Sequence, residues 1–257
     1  MIHNEVGLTK KQLNKQEYLR NLRSFLLQKT YSYGYSEVNW HFRSLLNWHR
    51  YEQIVDDVSR QSFQGLILDD GCGFGQISEM LQLKGKRVIG LDIGGGIHEC
   101  KVWKHLLTPF ILGDGLELPF ASEMFDVVVC CGAMEHTGNE RKFLEESNRI
   151  LKNNGLFLCY YLPNKTGFES LFRKIVYTDH IFYDGNHIKH LFKECGYEVL
   201  AMSREHVIPI LRISSAQEVY NRLNKLLVLL DDVLNKTQLR FFGDNWRIYG
   251  RKIKNVC

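Results

Sequence analysis

No run in this 257-residue chain approaches the roughly 20 apolar positions that a membrane-crossing helix needs. The stretch from Met1 to Lys11 is polar and lacks the apolar core of a signal peptide. None of the seven cysteines sits in a CxxC pair, and their number is odd, which argues against a disulfide framework or a zinc site. Cys130 and Cys131 are adjacent inside an apolar run, where neighbouring side chains point to opposite faces of a strand. The expectation is a cytosolic protein with reduced, buried thiols and no integral membrane segment. Internal repeats and low-complexity segments are absent as well. The 33 basic and 29 acidic residues are interleaved, so the net charge of +4 describes a solvated surface rather than a nucleic-acid stripe. With 44% hydrophobic and 24% charged residues, disorder and collagen-like repeats are excluded. A chain of this size buries about three quarters of its unfolded surface, enough for one large core.

What is present divides near residue 60. The first sixty residues carry no strand pattern. Tyr18, Leu22, Phe25 and Leu26 are spaced for one helix face. Aromatics then cluster from Tyr31 to Tyr51, interrupted by Gly34, which predicts a loop and a second helix from about Ser36 to Val58. This N-terminal part, 1–60, reads either as a lid over a ligand or as packing against a main domain, 61–257. From Gly65 onward short apolar runs alternate with amphipathic stretches. Strands are predicted over Gly65–Asp70, Arg87–Asp92, Phe110–Leu112, Phe125–Cys131 and Leu156–Leu162. Helices are predicted over Gly75–Leu83, Ile97–Leu107 and Asn139–Leu151, the last closed by Asn153-Asn154-Gly155. That alternation indicates an α/β fold, a doubly wound and mostly parallel sheet. A helix over Asn186–Cys195, a strand over Tyr197–Met202 and a closing antiparallel strand over Trp246–Lys252 bring the sheet to seven strands. One further helix, Ser215–Leu234, carries Val219, Leu223, Leu226, Leu227, Leu230 and Leu234 at helical spacing, and core packing is the expected use of that stripe.

The chemistry begins at Leu66-Ile67-Leu68-Asp69-Asp70-Gly71-Cys72-Gly73-Phe74-Gly75, a strand end leading through a glycine turn into a helix. Glycines at alternate positions let backbone approach a ligand with no β-carbon between. The spacing is not a dinucleotide fingerprint. Counting from Gly71 puts Gln76 where the third glycine is required, and counting from Gly73 puts Ser78 there. No Gly-Lys-Ser/Thr follows, so a P-loop fails too. Asp69 opposes a pyrophosphate but suits a cation such as an amino-acid ammonium. Asp92 ends the second strand, where a carboxylate can accept both ribose hydroxyls. Asp114, after the third, can accept from an adenine amino group. Any one of them can be a helix cap; three at successive strand ends point to one ligand.

Taken together, these residues resemble the class I S-adenosylmethionine-dependent methyltransferases of the small-molecule type. LDDGCGFG is similar to that family's first motif and LDI to its ribose-binding acidic end. GDGLELPFASEMFDVVVCCGAMEH resembles its third and fourth motifs, and RILKNNGLFLCYYLPN its fifth strand with the preceding loop. The likeness runs from about Gly65 to Ala201. Asp70 departs from it, standing where the family carries an apolar residue, and Gly94-Gly95-Gly96 is a second departure.

The resemblance implies S-adenosylmethionine as cofactor and S-adenosylhomocysteine as product. Asp69, Gly71, Cys72, Gly73 and Gly75 would hold the methionine part, Asp92 and Ile93 the ribose and one adenine face, and Asp114 and Gly115 the adenine edge. Cys131 and Gly132 would lie near the sulfonium. His136 is the first candidate for a base, if the acceptor is a hydroxyl. His180, Asp184 and His187 fall in the segment that lines the acceptor pocket in such enzymes. Glu135 beside His136 does not by itself make a metal site, and no metal is expected. The acceptor implied is a small molecule such as a sugar or another polar metabolite. The leucine-rich helix favours a quinone or lipid-linked acceptor instead, and a non-catalytic S-adenosylmethionine-binding subunit is a third reading. The chain lacks the Asn/Asp-Pro-Pro-Tyr/Phe signature of base-directed amino-group methylases, so nucleic acid is not expected. A homodimer stays open.

Overall fold

The computed structural model describes residues 15–32, 40–63, 65–93, 101–168, 170, 181–209 and 217–253. Their strands are β1 (Leu66–Asp70), β2 (Arg87–Asp92), β3 (Phe110–Leu112), β4 (Phe125–Cys131), β5 (Leu151–Pro163), β6 (Tyr197–Glu205) and β7 (Asn245–Lys252). They form one sheet in the order β3-β2-β1-β4-β5-β7-β6. The first five strands run parallel, and β7 lies antiparallel between β5 and β6. The sequence-based expectation of seven strands with an antiparallel final one is met.

Strand alternation sorts the sheet into two apolar layers. Ile67, Val127, Val129, Leu158 and Tyr160 face one core, which also takes Leu22 and Leu26 of α1 (Lys15–Ser32), Phe42 of α2 (Trp40–Arg43), Val55 and Val58 of α3 (Leu45–Arg60), and Ile77 and Leu81 of α4 (Gln76–Leu83). Leu68, Val128, Cys130, Phe157 and Cys159 face the other, with Phe143 and Ile150 of α5 (Glu140–Ile150) and Ile188 and Phe192 of α6 (Gly185–Glu194). Cys130 thus joins one layer and Cys131 packs against the other, as the pleat requires. Among the described residues Cys72, Cys130, Cys131, Cys159 and Cys195 are free thiols. No helix among them is long and apolar enough to cross a membrane.

Several boundaries differ from the sequence reading. The helix expected from Ser36 is broken at Ser44, whose extended backbone and hydroxyl, accepting from Asn47 N, start α3 afresh. α5 stops at Ile150, and Asn153-Asn154-Gly155 lies inside β5, with Asn154 at φ +63° beside a register shift against β4. The helix expected from Ser215 is two helices, α7 (Gln217–Arg222) and α8 (Asn224–Leu234), parted at Leu223. Its leucine stripe is not in the core. Val219, Leu223, Leu226 and Leu230 are exposed, because α8 is held by another face. Of the helix expected over Ile97–Leu107, residues 101–103 are helical, while its start and the Gly94–Gly96 run lie outside the described residues.

The tie that fixes α8 is polar. Arg50 of α3 donates from Nε and Nη2 to Asp231 Oδ2 at 3.2 and 2.8 Å, and from Nη2 to Ile208 O at 2.6 Å. Asp231 Oδ1 in turn accepts from Ile208 N at 2.8 Å. The pair is buried, at 2% and 5% side-chain exposure, so each charge depends on the other. Asp231→Ala leaves a guanidinium in the interior without its counter-charge and should cost about 3 to 5 kcal/mol in denaturant unfolding. The double variant Arg50→Met/Asp231→Leu should lose markedly less than that single change, since neither charge then remains.

Candidate active site

The parallel strands reverse their winding between β1 and β4, the position where open α/β sheets bind ligands. A cavity of about 520 Å³ opens there, within the range of small-molecule sites. Its floor is the turn after β1. Gly71 N and Cys72 N both donate to Leu91 O, at 2.8 and 2.9 Å, so the turn is clamped to β2. Gly73 N donates to Asp92 Oδ2 at 2.8 Å, and Trp103 Nε1 to Gly73 O at 2.8 Å. Gly71, at φ +78°, leaves no room for a β-carbon, which would come 2.1 Å from Ala133 Cβ. Gly73, at φ +53°, faces open space, with nothing within 4 Å of where a β-carbon would stand. A side chain there would fill the cradle. Gly75 opens α4 and is turned toward Phe110, away from the cavity.

The walls come from three strand ends and the N-terminal helices. Asp92 ends β2 and Ile93 follows it, Asp114, Gly115 and Leu116 come after β3, and Cys131 ends β4 with Gly132, Ala133, His136 and Thr137 beyond it. Phe42 and Tyr51, from α2 and α3, complete it. Gly115 lets the chain pass between Phe143 and Asp70; a β-carbon would meet them at 2.6 and 3.0 Å.

The two adjacent aspartates ending β1 behave differently. Asp69 is buried and accepts from Ser78 Oγ at 2.5 Å. Burial pushes it up to about 6, with the Ser78 hydrogen bond opposing. It does not line the cavity. Asp70 does, at 1% exposure, and neither of its carboxylate oxygens has a hydrogen-bond partner. Burial raises Asp70 well above the usual carboxylate range, and the charges of Asp69, Asp92 and Asp114 add to it. An orphaned buried carboxyl aimed into a cavity is the mark of a group that awaits a ligand. The sequence reading takes Asp69 as a ligand and Asp70 as a departure from the motif; in the structure Asp70 lines the cavity, while Asp69 is held by Ser78 of α4.

Of the remaining sequence-predicted residues, Gly71, Cys72, Gly73, Asp92, Ile93, Asp114, Gly115, Cys131, Gly132 and His136 come together in the one cavity. His136 stands at its rim, with 68% of its side chain exposed. Asp184 and His187 do not join them. Asp184 spends its Oδ1 on Asn186 N and His187 N as the N-cap of α6, and His187 is exposed. His180 lies outside the described residues. No cluster of three or more His, Cys, Asp or Glu able to hold a metal is found among the described residues.

Sequence alone offers Glu135 only as a possible metal partner of His136. Its side chain is 10% exposed, its Oε1 lies 3.7 Å from where a Gly132 β-carbon would stand, and His136 Nε2 is 3.9 Å away. Burial raises its carboxyl to about 7, with the Glu140 charge adding and its own backbone hydrogen bond opposing. No motif marks it; it stands in the single turn Met134–His136, four residues past β4, behind the cavity wall formed by Gly132, Ala133 and His136 and not among the lining residues.

A methyltransferase-domain family model matches residues 68–159, β1 through most of β5. A Methanocaldococcus jannaschii protein of uncharacterized function is 35% identical over 151 residues, 58% of this chain and 62% of that one. A Mycolicibacterium smegmatis protein, named a probable S-adenosylmethionine-dependent methyltransferase, is 28% identical over 136 residues, 53% of this chain and 50% of that one. Over the matched strands the chain is thus similar to S-adenosylmethionine-dependent methyltransferases. It spans about half to four fifths of the length of the first curated relatives it matches. In fold it is similar to a Haloferax volcanii methyltransferase solved in complex with the Trm112 activator, at a TM-score of 0.62, 19% identity, and coverage of 90% of this chain and 99% of that one.

The cavity's donor set fits the methyltransferase cofactor: an open glycine cradle, a ribose-level carboxylate at Asp92 and an unpartnered buried carboxyl at Asp70. Asp92→Ala removes a hydroxyl acceptor and also the anchor of Gly73, and should weaken S-adenosylhomocysteine binding by about 1 to 3 kcal/mol in calorimetry. Asp70→Asn, neutral like the protonated acid, should keep most of that affinity at pH 7, whereas Asp70→Leu should lose it.

Proposed function

We propose that this methyltransferase transfers a methyl group to a hydroxyl of a small polar acceptor, a sugar or a related metabolite, in the reducing cytoplasm. The observation that carries this reading is the place of Glu135, a buried carboxyl in the turn after β4, 3.9 Å from His136 at the cavity rim and directly behind the Gly132–Ala133 wall. S-adenosylmethionine, when bound, supplies a methyl group already activated by a sulfonium.

The protein's own work is then positioning and proton removal. Asp92 and the Gly73 cradle hold the donor, and Asp70 adds a hydrogen bond to it. Glu135 takes the acceptor's hydroxyl proton, with an affinity near neutral pH that lets it release that proton again. His136, 3.9 Å from Glu135 and exposed at the rim, passes the proton to water. Tyr51 and Phe42, from the N-terminal helices, serve as the lid that keeps water from the reacting atoms. Tyr161, held at φ +59° with its hydroxyl donating to Asn47 Oδ1 at 2.7 Å, lies against Gly132 and shapes the acceptor side.

A lipid-linked or quinone acceptor is the second reading, favoured by the exposed leucines of α8. Incubation with S-adenosylmethionine and matched panels of sugar and prenylated or lipid hydroxyls separates the two by which acceptor gains mass. No transfer to any hydroxyl, amine or carbon acceptor would leave a cofactor-binding subunit.

The proton-transfer role has a pH signature. Glu135 acts as a base only when ionised, so the turnover rate should rise as pH passes through about 7 and level off above it. Glu135→Gln should lose that rising limb and about 10² to 10⁴ in rate, with S-adenosylhomocysteine affinity retained. His136→Ala should keep the limb and lose less. Stability runs the other way. Glu135 binds its proton more tightly when folded, so its contribution to stability is full below the usual glutamate pKa and is lost as pH climbs toward 7.

A further inference from the structure

A second cavity, of about 400 Å³, shares no lining residue with the cofactor cavity. It lies between α3, the strands β5 and β7, the end of β6 and the C-terminal end of α8, and its size is within the range of small-molecule sites. Ile54 is its one aliphatic side chain among the described residues; the rest of the lining is polar, aromatic or charged. The charges are sorted by depth. Asp57 and Glu205, at 21% and 22% side-chain exposure, share a single cation: Arg247 Nη1 lies 2.9 Å from Glu205 Oε1 and 3.7 Å from Asp57 Oδ2. Arg50, also in the wall, is taken by Asp231. Tyr160 and Tyr249 donate their hydroxyls to Asp57, whereas the Glu205 carboxyl has no partner but Arg247 among the described residues. Burial raises Glu205 above its ordinary value, with Arg247 opposing and the Asp57 charge adding, so a further cation beside it is favourable. Arg60 and Lys236 line the same recess, are exposed, and have no acid within ion-pair distance among the described residues. Asp232, the remaining acid, accepts from Gln53 Nε2 at 3.0 Å.

His206 adds an open donor. It lines the recess at 6% exposure and is held at φ +65°, a backbone that a non-glycine residue keeps only under constraint. Asn245 Nδ2 donates to its Nδ1 at 3.1 Å, which leaves the ring proton on Nε2, and Nε2 has no partner among the described residues. A buried N–H without an acceptor in a polar recess calls for one. We propose that this recess binds a small polar zwitterion, a free amino acid. The ammonium group supplies the second cation that Asp57 and Glu205 lack, and the carboxylate takes Arg60, Lys236 and the His206 N–H. A plain anion would bring a third negative charge to Asp57 and Glu205, and a plain cation would face Arg60, Lys236 and Arg247, so a ligand of both signs is the one that answers both walls. With Ile54 alone to cover hydrocarbon, a polar side chain suits the ligand better than an apolar one. The site is distinct from the cofactor's. Tyr161 contacts both sides, its ring 4.7 Å from that of His206 and 6.0 Å from that of Tyr51, which lines the cofactor cavity. The two cavities can therefore be filled together, whichever acceptor is methylated.

The full chain, saturated with S-adenosylhomocysteine, is titrated in a calorimeter with each free L-amino acid in turn. At least one polar amino acid should bind. Its N-acetyl derivative, which lacks the ammonium, and its carboxamide, which lacks the carboxylate, should each bind at least about tenfold more weakly. Glu205→Gln should weaken binding by a similar factor, as should Arg60→Ala/Lys236→Ala, with S-adenosylhomocysteine affinity as in the parent. Arg60 and Lys236 are exposed, so the double variant keeps the fold and the test stands even if the Glu205 change disturbs it. Binding by no amino acid would overturn the proposal, as would binding that the variants leave unchanged. Binding seen only without S-adenosylhomocysteine would move the ligand to the cofactor cavity and overturn it too. Acetate or sulfate binding as well as the amino acid does, with Glu205→Gln silent, would make the recess an anion site instead.

Discussion

The hydrogen bond from Gly73 N to Asp92 Oδ2 is the contact on which the rest of the site depends. It joins the turn after one strand to the tip of the next, so the cradle cannot move without β2. Leu91 O reinforces it by taking two amides of the same turn, and Trp103 closes it from above. The glycines are thus free of side chains but not of constraint. A ligand that lies on them meets a surface already in place, and little ordering entropy is spent when it binds.

Electrostatics then decide what the site can accept. Four acids, Asp69, Asp70, Asp92 and Asp114, end strands or follow them around one small volume. Ser78 occupies Asp69, and the Asp114 carboxylate accepts from Leu116 N in its own turn. Burial, and after it the charges of Asp69, Asp92 and Asp114, raise the proton affinity of Asp70. A field of this sign suits a cationic donor molecule and discourages a pyrophosphate, consistent with the absence of a dinucleotide glycine spacing.

Much of this was readable from residue order. The apolar run Phe125–Cys131 and the glycine turn announced a central parallel strand and its neighbour, because burial on both faces from Val127 to Cys130 leaves no polar position there to confuse the pattern. The cofactor cavity followed, since strand-end acids are set by topology. What stayed hidden depended on partners distant in sequence. Which of Asp69 and Asp70 faces the cavity depends on Ser78, nine residues on, whose hydroxyl holds Asp69 on the other side. Glu135 looks like any loop glutamate until Gly132 and the end of β4 enclose it. The stripe of α8 has the spacing of a core helix, yet Arg50, some 180 residues earlier in the chain, claims the opposite face and turns the leucines outward.

The place of β7 in the sheet has a consequence for biosynthesis. It pairs Leu156 with Arg251 on one side and Tyr197 with Lys252 on the other, so the last of the seven described strands to be made fills an interior position. On the ribosome, β5 and β6 have nothing between them until residues 245–252 emerge, several seconds later at about 5 to 20 residues per second. Through that interval the nascent chain presents two open strand edges, each a template for pairing with another chain. Slowing translation between residues 205 and 245 lengthens the exposure. The yield of folded protein is therefore most sensitive to events that follow synthesis of the whole cofactor site.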